Sequence, residues 1–188
     1  MTSKQSCILG LDISTSCTGV AALTPTGDVI MVSYFKPKGE TLVQKANSLK
    51  HFIIDFYSDI GSPNIDSIFI EQNLQRFRRG FSSAAVINTL ARFNGMISYI
   101  SFENFNVQPE YVDASAGRRS LGIKIPRGKN TKELIFDWCK QEFPDVEWPM
   151  KKLKSGPRKG LVIFDPCCYD MSDALITAKA GLKLHEKS

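Results

Sequence analysis

Two carboxylates interrupt runs of sequence that are otherwise apolar. Asp12 stands inside Cys7-Ile-Leu-Gly-Leu-Asp12-Ile-Ser14, and Glu71 directly follows Ile68-Phe-Ile70. A further acidic pair, Asp170 and Asp173, lies three apart in Tyr169-Asp-Met-Ser-Asp-Ala-Leu-Ile176. A carboxylate in or at the end of a buried strand is costly unless it is compensated, and a divalent cation is the usual compensation. Three such segments point to one metal site, and to a fold that gathers them.

The spacing of the apolar runs says how. Strands are predicted over Cys7–Ser14, Gly19–Thr24 and Asp28–Phe35, separated by Ser-Thr-Ser-Cys-Thr and by Pro25-Thr-Gly27. Gaps this short favour antiparallel hairpins. Leu42, Ala46, Leu49, Ile53, Phe56 and Ile60 recur at helical spacing and predict an amphipathic helix with one core face. Gly61-Ser-Pro-Asn64 ends it, and a strand over Ile65–Ile70 runs into Glu71. A second helix, from about Ser83 to Ile100, carries Val86, Leu90, Phe93, Ile97 and Ile100 on one face. Its other face holds the small residues Ala84, Asn88, Ala91 and Gly95, which allow another backbone to approach, from this chain or from a second subunit.

Beyond it, Asn106–Asp113 reads as a strand broken by Pro109, and Gly117–Asn130 as a basic loop. A helix is predicted from Thr131 to about Phe143, a loop over Asp145–Gly160, and a short strand at Leu161–Phe164. The last helix should start near Asp170–Asp173. The order predicts an α/β fold, a mixed sheet with helices packed on it. No repeat or linker divides the chain, so 1–188 reads as a single domain.

No apolar stretch approaches the ~20 residues that span a bilayer, and the first residues lack a signal peptide's hydrophobic region, so an intracellular, non-membrane protein is expected. The five cysteines, an odd number, fit a reducing compartment. Cys167 and Cys168 have no C-x-x-C partner and read as small buried hydrophobes rather than zinc ligands. His51 and His185 have no motif around them. The net charge is only +5, but residues 116–160 hold 12 Lys or Arg against 5 Asp or Glu. Alone, such a tract is usually a solvated face; beside an acidic metal cluster it is the footprint of a polyanion.

Asp170 and Asp173 at i and i+3 project from one helical face, where a bound metal would reverse their repulsion. The bland alternative makes Asp170 an N-cap and Asp173 an exposed first-turn acid. Asp12 and Glu71 belong to strands that can lie side by side. Oxygen-only ligation suits Mg²⁺, with Mn²⁺ as a substitute. Four carboxylates exceed what one Mg²⁺ usually takes from a protein, so two ions are expected. Two ions about 4 Å apart can activate a water and stabilise the leaving oxygen of a phosphodiester.

In this order the motifs resemble a known family. Ile8-Leu-Gly-Leu-Asp12 with Thr18-Gly19 is similar to the first strand and turn of RuvC-like Holliday-junction resolvases, within the RNase H-like superfamily. Ile70-Glu71-Gln72 resembles the second acidic strand end, and Asp170-Met-Ser-Asp173-Ala-Leu the closing D-x-x-D-A-L helix. Gly128-Lys-Asn-Thr-Lys132-Glu-Leu-Ile resembles the segment that opens the third helix. The resemblance implies an RNase H-like fold, with a five-stranded sheet of three antiparallel strands then two parallel and helices on both faces. It implies that Asp12, Glu71, Asp170 and Asp173 ligate two Mg²⁺ ions, Asp12 serving both, and that Lys132 approaches the scissile phosphate. It further implies a homodimer that nicks a four-way DNA junction symmetrically, with no small-molecule substrate.

Arg118 and Arg119 match a basic pair of the family. Lys124, Arg127 and Lys129, and Lys151, Lys152, Lys154, Arg158 and Lys159 in a loop longer than in bacterial members, are expected to contact DNA. Two departures stand out. Ile13-Ser14 replaces a Pro-Gly, and Leu74 sits where bacterial members carry a junction-wedging aromatic. Phe77 or Phe81, among Arg76, Arg78 and Arg79, could serve as the wedge or pack in the core. Within nucleases, flaps, forks or structured RNA are alternative substrates. Asp12-Ile-Ser-Thr-Ser-Cys-Thr-Gly19 also resembles the phosphate hairpin of sugar kinases and actin-like ATPases, but such proteins need two lobes and about twice this length. A non-catalytic DNA-binding module is the third reading.

Overall fold

The computed structural model describes residues 6–72 and 83–186. Strands β1 (Ser6–Asp12), β2 (Thr18–Leu23) and β3 (Val29–Phe35) form an antiparallel meander. Helix α1 (Leu42–Asp59) carries the chain back to β4 (Asn64–Glu71), which lies parallel to β1. Helix α2 (Ala84–Phe105) leads to β5 (Glu110–Val112), parallel to β4. The sheet order is β3-β2-β1-β4-β5, three antiparallel strands then two parallel, as the sequence predicts. Helices α3 (Ala114–Ser120) and α4 (Thr131–Glu142), a hairpin of β6 (Met150–Lys152) and β7 (Val162–Phe164), and α5 (Cys167–His185) complete it.

The central strands are apolar on both faces because both faces are covered. Cys7, Leu9 and Leu11 of β1 join Val20 and Ala22 in a core closed by Ala46, Leu49, Ile53 and Phe56 of α1 and by Phe93 and Ile97 of α2. On the other face Ala21 and Leu23 pack with α4 and α5, and Ile8 and Phe69 with Ala180 of α5. Thr41 and Gln44 start α1 with a reciprocal capping box. In α5 the core residues are small: Ala174, Ala178, Ala180 and Gly181 are all buried. A Cβ at Gly181 would overlap the Phe69 ring, and one at Gly10 would overlap the Ala174 carbonyl and Ala178. These close approaches set α5 low against β1 and β4.

Several elements differ from expectation. Strand β5 has three residues rather than eight, because Pro109 has no N–H to donate and α2 runs on to Phe105. The predicted basic loop from Gly117 begins inside α3, whose N-cap Asp113 accepts the Ala116 N–H at 2.7 Å. The loop over 145–160 contains β6, which pairs with β7. Helix α5 begins at Cys167, before Asp170, after a turn in which Asp165 accepts the Cys167 N–H through Oδ1 at 3.0 Å and the Cys168 N–H through its carbonyl at 2.9 Å. Val86 is exposed rather than core. Among the described residues no helix is long and apolar enough to cross a membrane.

Candidate active site

Parallel pairing brings the first two carboxylates together. The β1–β4 register places Leu11 beside Ile70, so Asp12 and Glu71 are the next residues of adjacent strands. Residue alternation turns both toward the face covered by α5. Behind Asp12 the chain turns through Ile13–Cys17, closed by buried Thr18. Its hydroxyl donates to the Ser14 carbonyl at 3.0 Å and accepts the Ser14 N–H at 3.2 Å. The Asn94 amide donates to the Glu71 carbonyl at 3.4 Å and ties the end of β4 to α2.

The second pair arrives on α5. A Cβ at Gly19 would overlap the Asp170 carbonyl, so only glycine lets the start of α5 rest on β2. Because the helix already starts at Cys167, Asp170 is not its cap, and Asp173 is partly buried rather than an exposed first-turn acid. The bland reading of this pair is thereby corrected.

The electrostatics bind the four acids into one group. Asp12 is held well above the usual carboxylate range, first by burial and then by Glu71, Asp173 and Asp170, with Lys132 opposing. Burial and the charge of Asp173 push Glu71 up to about 8 against Arg118 and Lys132. Burial raises Asp173 to about 6, with Lys132 opposing and Asp170 adding repulsion. Asp170 is raised by burial, with Cys17 and Lys132 pulling the other way. Such a set cannot hold all its charges without a cation, and its oxygen donors suit a hard one. Among the described residues no three of these carboxylates place oxygens within 4.8 Å of one another.

Lys132 reaches the group from the first turn of α4, whose N-cap Asn130 accepts the Lys132 N–H at 3.1 Å. Its Nζ lies 5.9 Å from the centre of the Tyr169 ring, one residue from Asp170. Arg118, in the last turn of α3, faces Glu71 and Asp173. Arg119, Lys124, Arg127 and Lys129 are exposed on the same connection.

The β6–β7 hairpin forms a second basic element. Lys152, Lys154, Arg158 and Lys159 are exposed on it, and Lys151 is half-buried. Its base is tied to α5: the Asp165 N–H donates to the Pro149 carbonyl at 2.8 Å and the Cys168 thiol donates to the same carbonyl at 3.4 Å. Phe136 of α4 meets Trp148, Phe164 and Tyr169 edge-on and locks hairpin, α4 and α5 together. The expected wedge residues Phe77 and Phe81, with Arg76, Arg78 and Arg79, lie outside the described residues. A cavity of about 480 Å³ between 27–32 and 142–147 shares no residue with the carboxylates.

Sequence reasoning missed three contributors. Gly10 and Gly19 set the height of α5, and short residues opposite the small face of α5 were the available signal. Cys17 lies against Asp170, which nothing in its local sequence announces.

No family model matches this sequence, and no curated protein does. Solved structures do match. RuvC of Thermus thermophilus, in complex with a Holliday junction substrate, superposes with a TM-score of 0.64 at 13% identity, over 97% of this chain and 96% of that one. A second T. thermophilus RuvC structure gives 0.61 at 14% identity, over 96% of each chain. The yeast mitochondrial Holliday junction resolvase Ydc2 gives 0.53 at 14% identity, over 98% of this chain and 81% of that one. The chain has the RuvC-like, RNase H-like fold.

Proposed function

We propose that this protein is an intracellular, metal-dependent endonuclease that resolves four-way DNA junctions. The observation that carries the proposal is the convergence of Asp12, Glu71, Asp170 and Asp173, from three elements, at one partly buried rim of a RuvC-like sheet. Asp12, Glu71, Asp170 and Asp173 would hold two Mg²⁺ ions, Mn²⁺ substituting, which supply an activated water and neutralise charge on the phosphodiester. The chain's own residues do the rest. Lys132, the cation on the open side of the cluster, binds a non-bridging oxygen of the scissile phosphate and offsets the charge that builds there. Arg118 opposes the upward shift of Glu71 and Asp173 and so favours the ionised forms that a cation needs. The exposed cations of 119–129 and of the β6–β7 hairpin bind the flanking phosphates and orient the strand.

A homodimer fits the exposed face of α2. Ala84, Asn88, Ala91, Gly95, Tyr99 and Phe102 follow one another at helical spacing and are exposed, and a Cβ at Gly95 would meet nothing within 4 Å. Two copies joined there would present two sites for paired nicks.

The test is direct. Purified protein is incubated in Mg²⁺ with labelled four-way junction, flap, fork and linear duplex, beside Asp12→Asn. Paired symmetric nicks confined to the junction, lost in Asp12→Asn with junction binding retained, are expected. Cutting by Asp12→Asn would overturn the site, and preferential cutting of flap or fork would overturn the substrate.

A further inference from the structure

The turn after β1 and the first residue of α5 bring two cysteines together. The Sγ atoms of Cys17 and Cys167 and a carboxylate oxygen of Asp170 all lie within 4.8 Å of one another. Both thiols are free and buried. We propose that Cys17, Cys167 and Asp170 form a site for a thiophilic divalent cation, Zn²⁺ foremost, which competes with the carboxylate cluster for Asp170. The binding claim stands on these donors alone; the competition rests on the proposed nuclease reading.

The donor set is what separates this site from its neighbour. Thiolates select Zn²⁺ and leave Mg²⁺ unbound, whereas an oxygen-only cluster accepts a hard ion such as Mg²⁺ and has no sulfur to favour a soft one. Zinc takes sulfur at about 2.3 Å and carboxylate oxygen at about 2.0–2.2 Å, which sets tetrahedral donors about 3.5–3.8 Å apart. The three donors therefore need to close by only about 1 Å, within reach of side-chain rotation. Asp165, already bonded through Oδ1 to the Cys167 N–H, or a water would fill the fourth position. With water in the fourth position, two thiolates and one carboxylate leave a single negative charge beyond a divalent ion, and the Lys36 ammonium beside Cys167 offsets it. Each thiol gives its proton to solvent as its sulfur–metal bond forms. An Asp170 oxygen engaged on this side is turned from Asp12 and Asp173.

Co²⁺ reports the site without reference to catalysis. Titrated into the reduced full chain, one equivalent should bring in thiolate-to-cobalt charge-transfer absorption and tetrahedral visible bands, both displaced by Zn²⁺. Cys17→Ser and Cys167→Ser should each lose the charge-transfer intensity and weaken Zn²⁺ binding, measured against a chromophoric chelator, by about 100-fold or more. In junction cleavage with Mg²⁺, stoichiometric Zn²⁺ should inhibit the wild type, and Cys167→Ser should resist it. Absence of the charge-transfer band, or a Zn²⁺ affinity in either variant equal to that of the wild type, would overturn the site. Cobalt binding without any cleavage of DNA would leave the site standing and remove the nuclease reading instead.

Discussion

Glu71→Gln should stabilise the metal-free protein while destroying its cation site. Burial, reinforced by Asp173, raises Glu71 from 4.5 to about 8 against the pull of Arg118 and Lys132. The folded chain therefore holds this proton more tightly than the unfolded chain, and stability falls as pH rises between those two values. Below about pH 4.5 both states are protonated and the contribution is fully present; above about pH 8 both are ionised and it is gone. At ~1.4 kcal/mol per pH unit the span corresponds to roughly 4–5 kcal/mol. Water at the partly exposed carboxylate and reorientation of exposed Lys132 reduce that to about 2–3 kcal/mol. Urea unfolding in chelator, at about pH 5 and about pH 8.5, measures it. Wild type should lose more stability across that window than Glu71→Gln, by about 2–3 kcal/mol, and Mg²⁺ should restore wild type alone. Equal losses in the two proteins, or a wild type that gains stability with rising pH, would refute the electrostatic account of the cluster.

Three further outcomes follow from named contacts. Gly19→Ala should destabilise the fold by about 1–3 kcal/mol in thermal unfolding and lower kcat with junction binding retained, because its Cβ displaces the Asp170 backbone. Lys132→Ala should slow cleavage by about 100-fold while junction affinity changes little; equal losses in both would reduce Lys132 to a phosphate anchor. Replacing Lys154, Arg158 and Lys159 together with Ala should flatten the salt dependence of junction binding by about 2–3 in log–log slope, with thermal stability unchanged.

Some of this was written locally. The apolar runs of β1 and β4, the hairpin gaps of the meander and the helical spacing of α1 are patterns over a few residues, and they pointed to a mixed sheet, whose five-stranded arrangement the family resemblance implied. A carboxylate at the end of an apolar run is equally local, so Asp12 and Glu71 stood out before any fold was known. What local pattern could not decide was where α5 begins and what meets across the fold. The chain turns into α5 at Asp165–Pro166, which moves Asp170 from cap to helix face. Helix α3 and strand β6 escaped notice because short elements carry too few periodic positions to be read, whereas β7 was anticipated at Leu161–Phe164.

The sequence alone therefore determined the mixed α/β character of the fold and the identity of four candidate ligands, since burial, alternation and charge act residue by residue, while the strand order came from the pairing. Only the tertiary structure decided that these four perturb one another, that Gly10 and Gly19 admit α5 close enough for them to do so, and that Cys17 and Cys167 share Asp170. Electrostatic coupling and close packing depend on distance in space, and chain position carries no measure of that distance.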